Sequence, residues 1–197
     1  MSSLIIVDIQ PFYEPWHNHI TDHVMQYVNR NCSKYEKVVW FFNDADVGVK
    51  NDVDDMVEFV YTNGVKEDCV EQINFVNKQY MFFRDWMDVM VDEEFIIKVA
   101  RYMIRNGITD SKQIDENTME MLILSYFDTP EGVNIREEYD YLFKDSIKIP
   151  SFDWSQLQEL GEVDTCGGGR YECLLEIEIL LKVVGVKVNR IELLVYG

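Results

Sequence analysis

Hydrophobic residues come in short blocks along this chain, and the period of the blocks changes from one to the next. Leu4-Ile5-Ile6-Val7 runs unbroken and stops at Asp8; Val38-Val39-Trp40-Phe41-Phe42 does the same and stops at Asn43-Asp44. Unbroken apolar runs of this length predict strands covered on both faces, the habit of parallel sheets. Between them, residues 17–31 predict a helix, with Val24, Tyr27 and Val28 along one stripe. Strand, helix, strand over about 40 residues is a βαβ unit with a right-handed crossover.

The middle is less regular. Residues 53–63 and 67–77 read as short helices, and Tyr80-Met81-Phe82-Phe83 as a strand. Over 92–107, Phe95, Ile96, Val99, Met103 and Ile104 recur at helical spacing, with Gly107 placed for a C-cap. Residues 115–126 fit helix or strand, Thr129-Pro130-Glu131-Gly132 a turn, and Tyr141-Leu142-Phe143-Lys144 a strand. Near the end, Leu157 and Leu160 close a short helix and Glu162–Cys166 reads as a strand. Gly167-Gly168-Gly169 turns the chain, 171–184 form an apolar helix, and Val186–Val195 a last strand. The prediction is an α/β fold: a doubly wound, mostly parallel sheet in three α/β/α layers. It forms one domain over 1–197, with an enlarged, partly helical insertion at 45–140.

Composition narrows the partners. With 18 basic and 36 acidic residues the net charge is 18 − 36 = −18. That disfavours phosphate backbones and anionic membrane surfaces, so nucleic acid and membrane are excluded as partners. Acidic groups occupy both halves and are densest from Asp44 to Glu58, a solvated face or a surface that suits a basic protein partner. The N-terminus lacks the basic and long apolar regions of a signal peptide, and no apolar run reaches a membrane span. Four cysteines are too few for a disulfide framework. A cytoplasmic protein with reduced thiols is the expectation.

The glycine junction carries the most chemistry. Ligands of open parallel sheets sit beyond the carboxyl ends of the strands. Asp8, Lys144 and the segment from Gly167 to Cys173 all fall at predicted strand ends. Gly167, Gly168, Gly169, Arg170 and Glu172 form a turn whose amides, at a helix N-terminus, suit an anion or oxyanion. Glu172 stands where a dinucleotide motif needs glycine, and no Lys-Ser/Thr follows, so no nucleotide cofactor is expected. Cys173 begins the helix, where the dipole and a nearby lysine favour a thiolate nucleophile. A buried packing cysteine beside Leu174-Leu175 is the alternative.

At this point the pattern resembles the isochorismatase-like cysteine hydrolases, which include nicotinamidases. Members open with an apolar strand ending Asp-x-Gln, as Leu4–Gln10 does, and place a nucleophilic Cys six residues after a glycine closing a late strand, as Gly167 and Cys173 do. Between the two, a strand ends in a catalytic Lys. Lys144 is the best match, Lys148 the second and Arg84 the third. The resemblance implies hydrolysis of a small amide or related metabolite through Asp8, Lys144 and Cys173, by way of a thioester. It also implies a homo-oligomer. Two features depart from the family pattern. Arg170-Tyr171 stands where members have Thr-Asp, and Asn43-Asp44-Ala45-Asp46 lacks the His of the nicotinamidase metal motif. A catalytically inactive relative, an acidic protein holding a small ligand or a basic partner, is therefore the second hypothesis. The first predicts that iodoacetamide labels Cys173 well below pH 8.5, and that Asp8→Asn slows the labelling.

His17, His19 and His23 are the only histidines and lie within seven residues. Three imidazoles from one such segment rarely make a zinc site, so they read as a polar helix start and no metal is assigned. Cys166, at a strand end, reads as buried. Arg170 reads as a clamp for a carboxylate or phosphate, or as a salt bridge to Glu172 or Asp164. Phe12, Tyr13 and Trp16 follow Asp8 and read as core or as a pocket wall.

Overall fold

In the computed structural model, five parallel strands form one sheet in the order β5-β2-β1-β6-β7. The structure describes residues 2–43, 45–46, 49–50, 52–78, 83, 86–87, 91–150, 152–159 and 161–197. The elements are β1 (Ser3–Val7), α1 (Glu14–Asn31), β2 (Lys37–Asn43), β3 (Ala45–Asp46), β4 (Val49–Lys50), α2 (Val53–Thr62), α3 (Glu67–Val70) and β5 (Ile73–Lys78). There follow α4 (Glu93–Asn106), α5 (Glu116–Leu124), α6 (Ile135–Glu138), α7 (Asp140–Lys144), α8 (Ser155–Gln158), β6 (Glu162–Gly167), α9 (Cys173–Val183) and β7 (Lys187–Arg190). Counting sheet strands along the chain gives 3-2-1-4-5, so the winding reverses between β1 and β6. This is the Rossmann-like α/β sheet that the apolar runs predict.

β1 is buried at all five residues, as a strand hydrogen-bonded on both sides and covered on both faces must be. Side-chain alternation divides the core. Leu4, Ile6, Val38, Trp40 and Phe42 pack with Ile20, Val24 and Val28 of α1 and Met56 and Val60 of α2. The apolar helix α9 lies on β1, β6 and β7. Phe41 stacks on Trp154 with ring centroids 5.8 Å apart. Cys32, just beyond α1, and Cys69 of α3 form a disulfide with Cα atoms 5.7 Å apart, which corrects the expectation that all four thiols are reduced.

The chain groups into two compact units, Met1–Tyr80 with Phe152–Gly197, and Met81–Ser151. The first holds the sheet. The second is helical: α4 buries Phe95, Ile96, Val99 and Met103 and ends in left-handed Gly107, as its spacing predicts. Three sequence expectations change. Residues 67–77 are not one helix; α3 stops at Val70 and β5 takes Ile73–Lys78 as an edge strand on β2. Residues 141–144 are helix α7, not a strand. The last strand is only Lys187–Arg190, followed by a 3-10 turn over Glu192–Leu194. The strand expected at 80–83 and the candidate Arg84 fall largely or wholly outside the described residues. Among the described residues no helix is long and apolar enough to cross a membrane.

Candidate functional site

The winding reverses between β1 and β6, and the candidate site is built from residues beyond the carboxyl ends of these strands. Asp8 extends the β1–β2 ladder with its amide, which donates to the Phe41 carbonyl at 3.0 Å. Its φ of 49° then swings the chain off the sheet, and it is the one non-glycine residue with positive φ among those described. Aspartate tolerates that conformation better than most residues, at a cost of roughly 1–2 kcal/mol. The carboxylate is left just beyond the end of β1, fully buried.

The facing wall is the glycine turn. The Gly168 amide donates to the Val7 carbonyl at 2.7 Å, drawing the end of β6 onto the end of β1. A Cβ on Gly167 would stand 2.3 Å from the Val7 carbonyl oxygen, and one on Gly168 would stand 2.8 Å from Leu174 Cβ. Both residues also have positive φ, 75° and 58°. Glycine is required there by space as well as by conformation. The turn delivers Cys173 as the first residue of α9, one helical turn before the buried Glu176.

The cation of the site is Lys78, the last residue of β5. Its Nζ lies 3.0 Å from Asp8 Oδ2, and both side chains are 0% exposed. Burial presses the ammonium downward, but Asp8 first, and then Cys173 and Glu176, reverse that effect, so its net shift is upward and it stays charged. The Cys173 thiol is buried, 5% exposed, and feels the charges of both Asp8 and Lys78. Its shift is also upward, caused by burial first and Asp8 second, with Lys78 pulling the other way. The resting site is thus a thiol against a carboxylate that an ammonium neutralises. Burial and the adjacent carboxylate oppose the thiolate that the helix dipole and Lys78 favour, and the burial of Cys173 fits the buried cysteine read as the alternative.

A polar network holds the loop after Asp8. The Asn43 amide donates to Gln10 Oε1 at 2.9 Å, Asn43 Nδ2 donates to the Tyr13 hydroxyl at 2.7 Å, and Trp40 Nε1 donates to the Ile9 carbonyl at 3.0 Å. His17 is buried, with Nδ1 2.8 Å from Thr21 Oγ1 and Nε2 2.8 Å from the Gln10 carbonyl oxygen. Burial lowers its pKa, against the raising effect of Gln10, of its own carbonyl, of Glu14 and of Asp8, and favours the neutral ring. His17 is therefore a brace for the loop, while His19 and His23 point to solvent. The polar helix start expected of all three is corrected for His17. Among the described residues no three His, Cys, Asp or Glu side chains gather in a way that could hold a metal.

The other predicted residues fall as follows. Lys144, expected at a strand end, ends helix α7 in the second unit, where it is exposed and pairs with Asp140 one turn away. Lys148 is exposed in the same unit, where its backbone forms an isolated antiparallel β-bridge with Asp110. Arg170 forms a salt bridge with Glu192. Of the turn amides expected to hold an oxyanion, three serve the fold: Gly168 donates to Val7, Arg170 to Tyr196 at 2.9 Å and Glu172 to Gly169 at 3.1 Å. Glu172 itself is exposed. Cys166 is buried, and its thiol is pushed up to about 12 by burial, with a smaller push from Asp164.

Sequence reasoning missed Lys78, Glu176 and Tyr196. The only local signal for Lys78 is a short mixed segment, Ile73-Asn74-Phe75-Val76, that stops at polar Asn77-Lys78, much as the two apolar runs stop at Asp8 and Asn43. For Glu176 the signal is a carboxylate three residues after Cys173 inside an otherwise apolar helix. Its neighbour Glu178 has an ordinary account, bonded to Thr165 at 2.8 Å and to Arg190 Nε at 3.0 Å. The chain matches no family model, no curated protein and no solved structure.

Proposed function

We propose that the chain is a cysteine hydrolase acting on a small amide or related carbonyl compound, with Asp8, Lys78 and Cys173 as its triad. The observation that carries this reading is the fully buried Asp8–Lys78 ion pair with the Cys173 thiol beside it, at the point where the winding reverses. Taking two charges out of water costs several kcal/mol per ion, and an apolar pair would fill the space without that cost. A left-handed Asp8 adds strain at the same spot. Aspartate on the first strand, lysine at a strand end and cysteine at a helix start follow the order of the isochorismatase-like hydrolases. Lys78 takes the part that the sequence resemblance gave to Lys144.

In this mechanism Asp8 accepts the Cys173 proton as the sulfur attacks the substrate carbonyl. Lys78 compensates the negative charge shared by Asp8 and sulfur throughout. Asp8 returns the proton to the departing amine, the C–N bond breaks and a thioester remains. Asp8 then takes a proton from water, the hydroxide adds to the thioester, and the C–S bond breaks. The acid leaves, and the proton on Asp8 goes back to Cys173. The raised pKa of the thiol suits this order, since sulfur is deprotonated only in step with attack.

Acetyl transfer from p-nitrophenyl acetate tests the reading. One acetyl group on Cys173, with a burst of p-nitrophenolate that Cys173→Ala and Asp8→Asn abolish, is the expected result. A burst unchanged in Cys173→Ala refutes it. The burial of Cys173, 5% exposed, supports a second reading, a relative of such hydrolases that holds a small ligand without turning it over. That reading predicts no acetyl-Cys173.

A further inference from the structure

The mechanism above needs donors for the oxygen that becomes negative when sulfur adds to the carbonyl, and three amides of the turn nearest Cys173 already serve the fold. Those of Gly168, Arg170 and Glu172 are committed to Val7, Tyr196 and Gly169. The same hydrogen bonds show what else stands at the turn. The chain end runs beside it as a strap: Arg170 donates to the Tyr196 carbonyl at 2.9 Å, the Tyr196 amide donates to the Gly168 carbonyl at 3.3 Å, and Gly169 and Tyr196 form a parallel bridge. Gly197, with φ of 102°, closes the strap, where a Cβ would meet the Arg170 amide at 3.4 Å.

The strap fixes where the Tyr196 side chain goes. Its ring packs against the core and against the buried His17, with centroids 6.0 Å apart. His17 in turn braces the loop that follows Asp8 through Gln10. Tyr196 is thereby held between the two walls of the site, on the backbone of one and against the brace of the other. Burial first, and then the nearby Asp8 and Cys173, push its phenol upward, so the hydroxyl keeps its proton and remains a donor.

We infer that Tyr196 is a further catalytic residue, whose phenolic O–H donates to the oxyanion formed when Cys173 adds to a carbonyl. The inference rests on the hydrolase reading. It adds a side-chain donor at a turn where the amides of Gly168, Arg170 and Glu172 already serve the fold. A preorganised donor of this kind contributes about 100- to 1000-fold to the rate of acyl transfer.

Two probes of Cys173 separate this role from packing. Iodoacetamide alkylates sulfur by displacement at carbon and develops no oxyanion, whereas p-nitrophenyl acetate acylates it through one. Both are applied at about pH 9 to the full chain and to Tyr196→Phe, which keeps the ring. The expected result is an acetylation rate about 100-fold lower with the alkylation rate unchanged. An unchanged acetylation rate overturns the inference. So does an equal fall with both probes, which would show that the ring merely shapes access to Cys173. If the unsubstituted chain takes no acetyl group on Cys173, the hydrolase reading fails first, and that outcome is distinct from a selective or absent effect of Tyr196→Phe.

Discussion

Replacing Lys78 by methionine removes the cation from the Asp8 site while keeping most of the side-chain volume. Both partners are wholly excluded from solvent and lie 3.0 Å apart, so no water can move in to solvate the stranded carboxylate without opening the core. Breaking a buried pair from one side costs about 3–5 kcal/mol, because an uncompensated charge is left behind. For a chain of this size each kcal/mol moves the midpoint by roughly 2–4 °C, so Lys78→Met should melt about 6–20 °C lower by circular dichroism. Lys144→Met is the matched control. That lysine is 72% exposed and pairs with Asp140 across one helical turn, so its loss should leave the melt unchanged. Asp8→Asn combined with Lys78→Met, which removes both charges, should recover most of the deficit. Lowering the pH should also narrow the deficit of the single variant, since the stranded carboxyl can then bind a proton in the folded state. A Lys78→Met protein that melts with the unsubstituted chain, or no lower than Lys144→Met, would refute the assignment of Lys78 as the central cation.

The same pair predicts an alkaline limb. Lys78 is raised above its ordinary value of 10.5, so its contribution is full below that value and fades as pH rises through the higher folded-state value. The gap in melting temperature between the unsubstituted chain and Lys78→Met should close only above pH 10.5. Gly167→Ala must put a methyl group 2.3 Å from the Val7 carbonyl at φ 75°, and should prevent soluble folding or lower the melt severely. Gly64→Ala, at φ 80° with nothing within 4 Å, should cost only the conformational penalty of about 1–2 kcal/mol. Cys32 and Cys69 close a loop with a sequence separation of 37, worth about 3–4 kcal/mol in chain entropy. Dithiothreitol should therefore lower the denaturation midpoint of the unsubstituted chain, and leave that of Cys32→Ala/Cys69→Ala unmoved.

The sequence leaves two readings of the Cys173 thiol. A helix start near a lysine argues for a lowered pKa and alkylation below pH 8.5, while the apolar run beside Cys173 argues for a buried packing cysteine. The structure adds burial and the Asp8 carboxylate, both of which oppose ionisation of Cys173. Alkylation of the native protein should be slow at neutral pH and should rise only in alkali, whereas denatured chain reacts as an ordinary thiol.

Much of the scaffold was legible because its signals are local. Leu4–Val7 and Val38–Phe42 are apolar without interruption, which only a strand covered on both faces explains, and the strand–turn–helix around Gly167–Gly169 shows in composition alone. Asp8 and Cys173 could be singled out for the same reason: each abuts a strong element whose end is plain in the sequence. The lysine could not. Both Lys78 and Lys144 follow short mixed segments, and helix and strand propensities there are too close to separate. What divides them is pairing: Ile73–Lys78 becomes a strand because β2 offers an open edge, and Asp140–Lys144 becomes helix in another unit. Tyr196 was illegible for a related reason. No local pattern places a residue next to the chain end against a turn nearly thirty positions earlier; only the hydrogen bonds of the strap do so.

The sequence by itself thus determined the parallel α/β class, the carboxylate ending the first strand and the cysteine opening a late helix, since each follows from periodicity and spacing within a few residues. The tertiary structure alone decided which lysine meets that carboxylate and which way burial and its neighbours move the thiol's pKa. Those depend on burial and on charges brought together across more than sixty positions of chain, which a linear pattern does not encode.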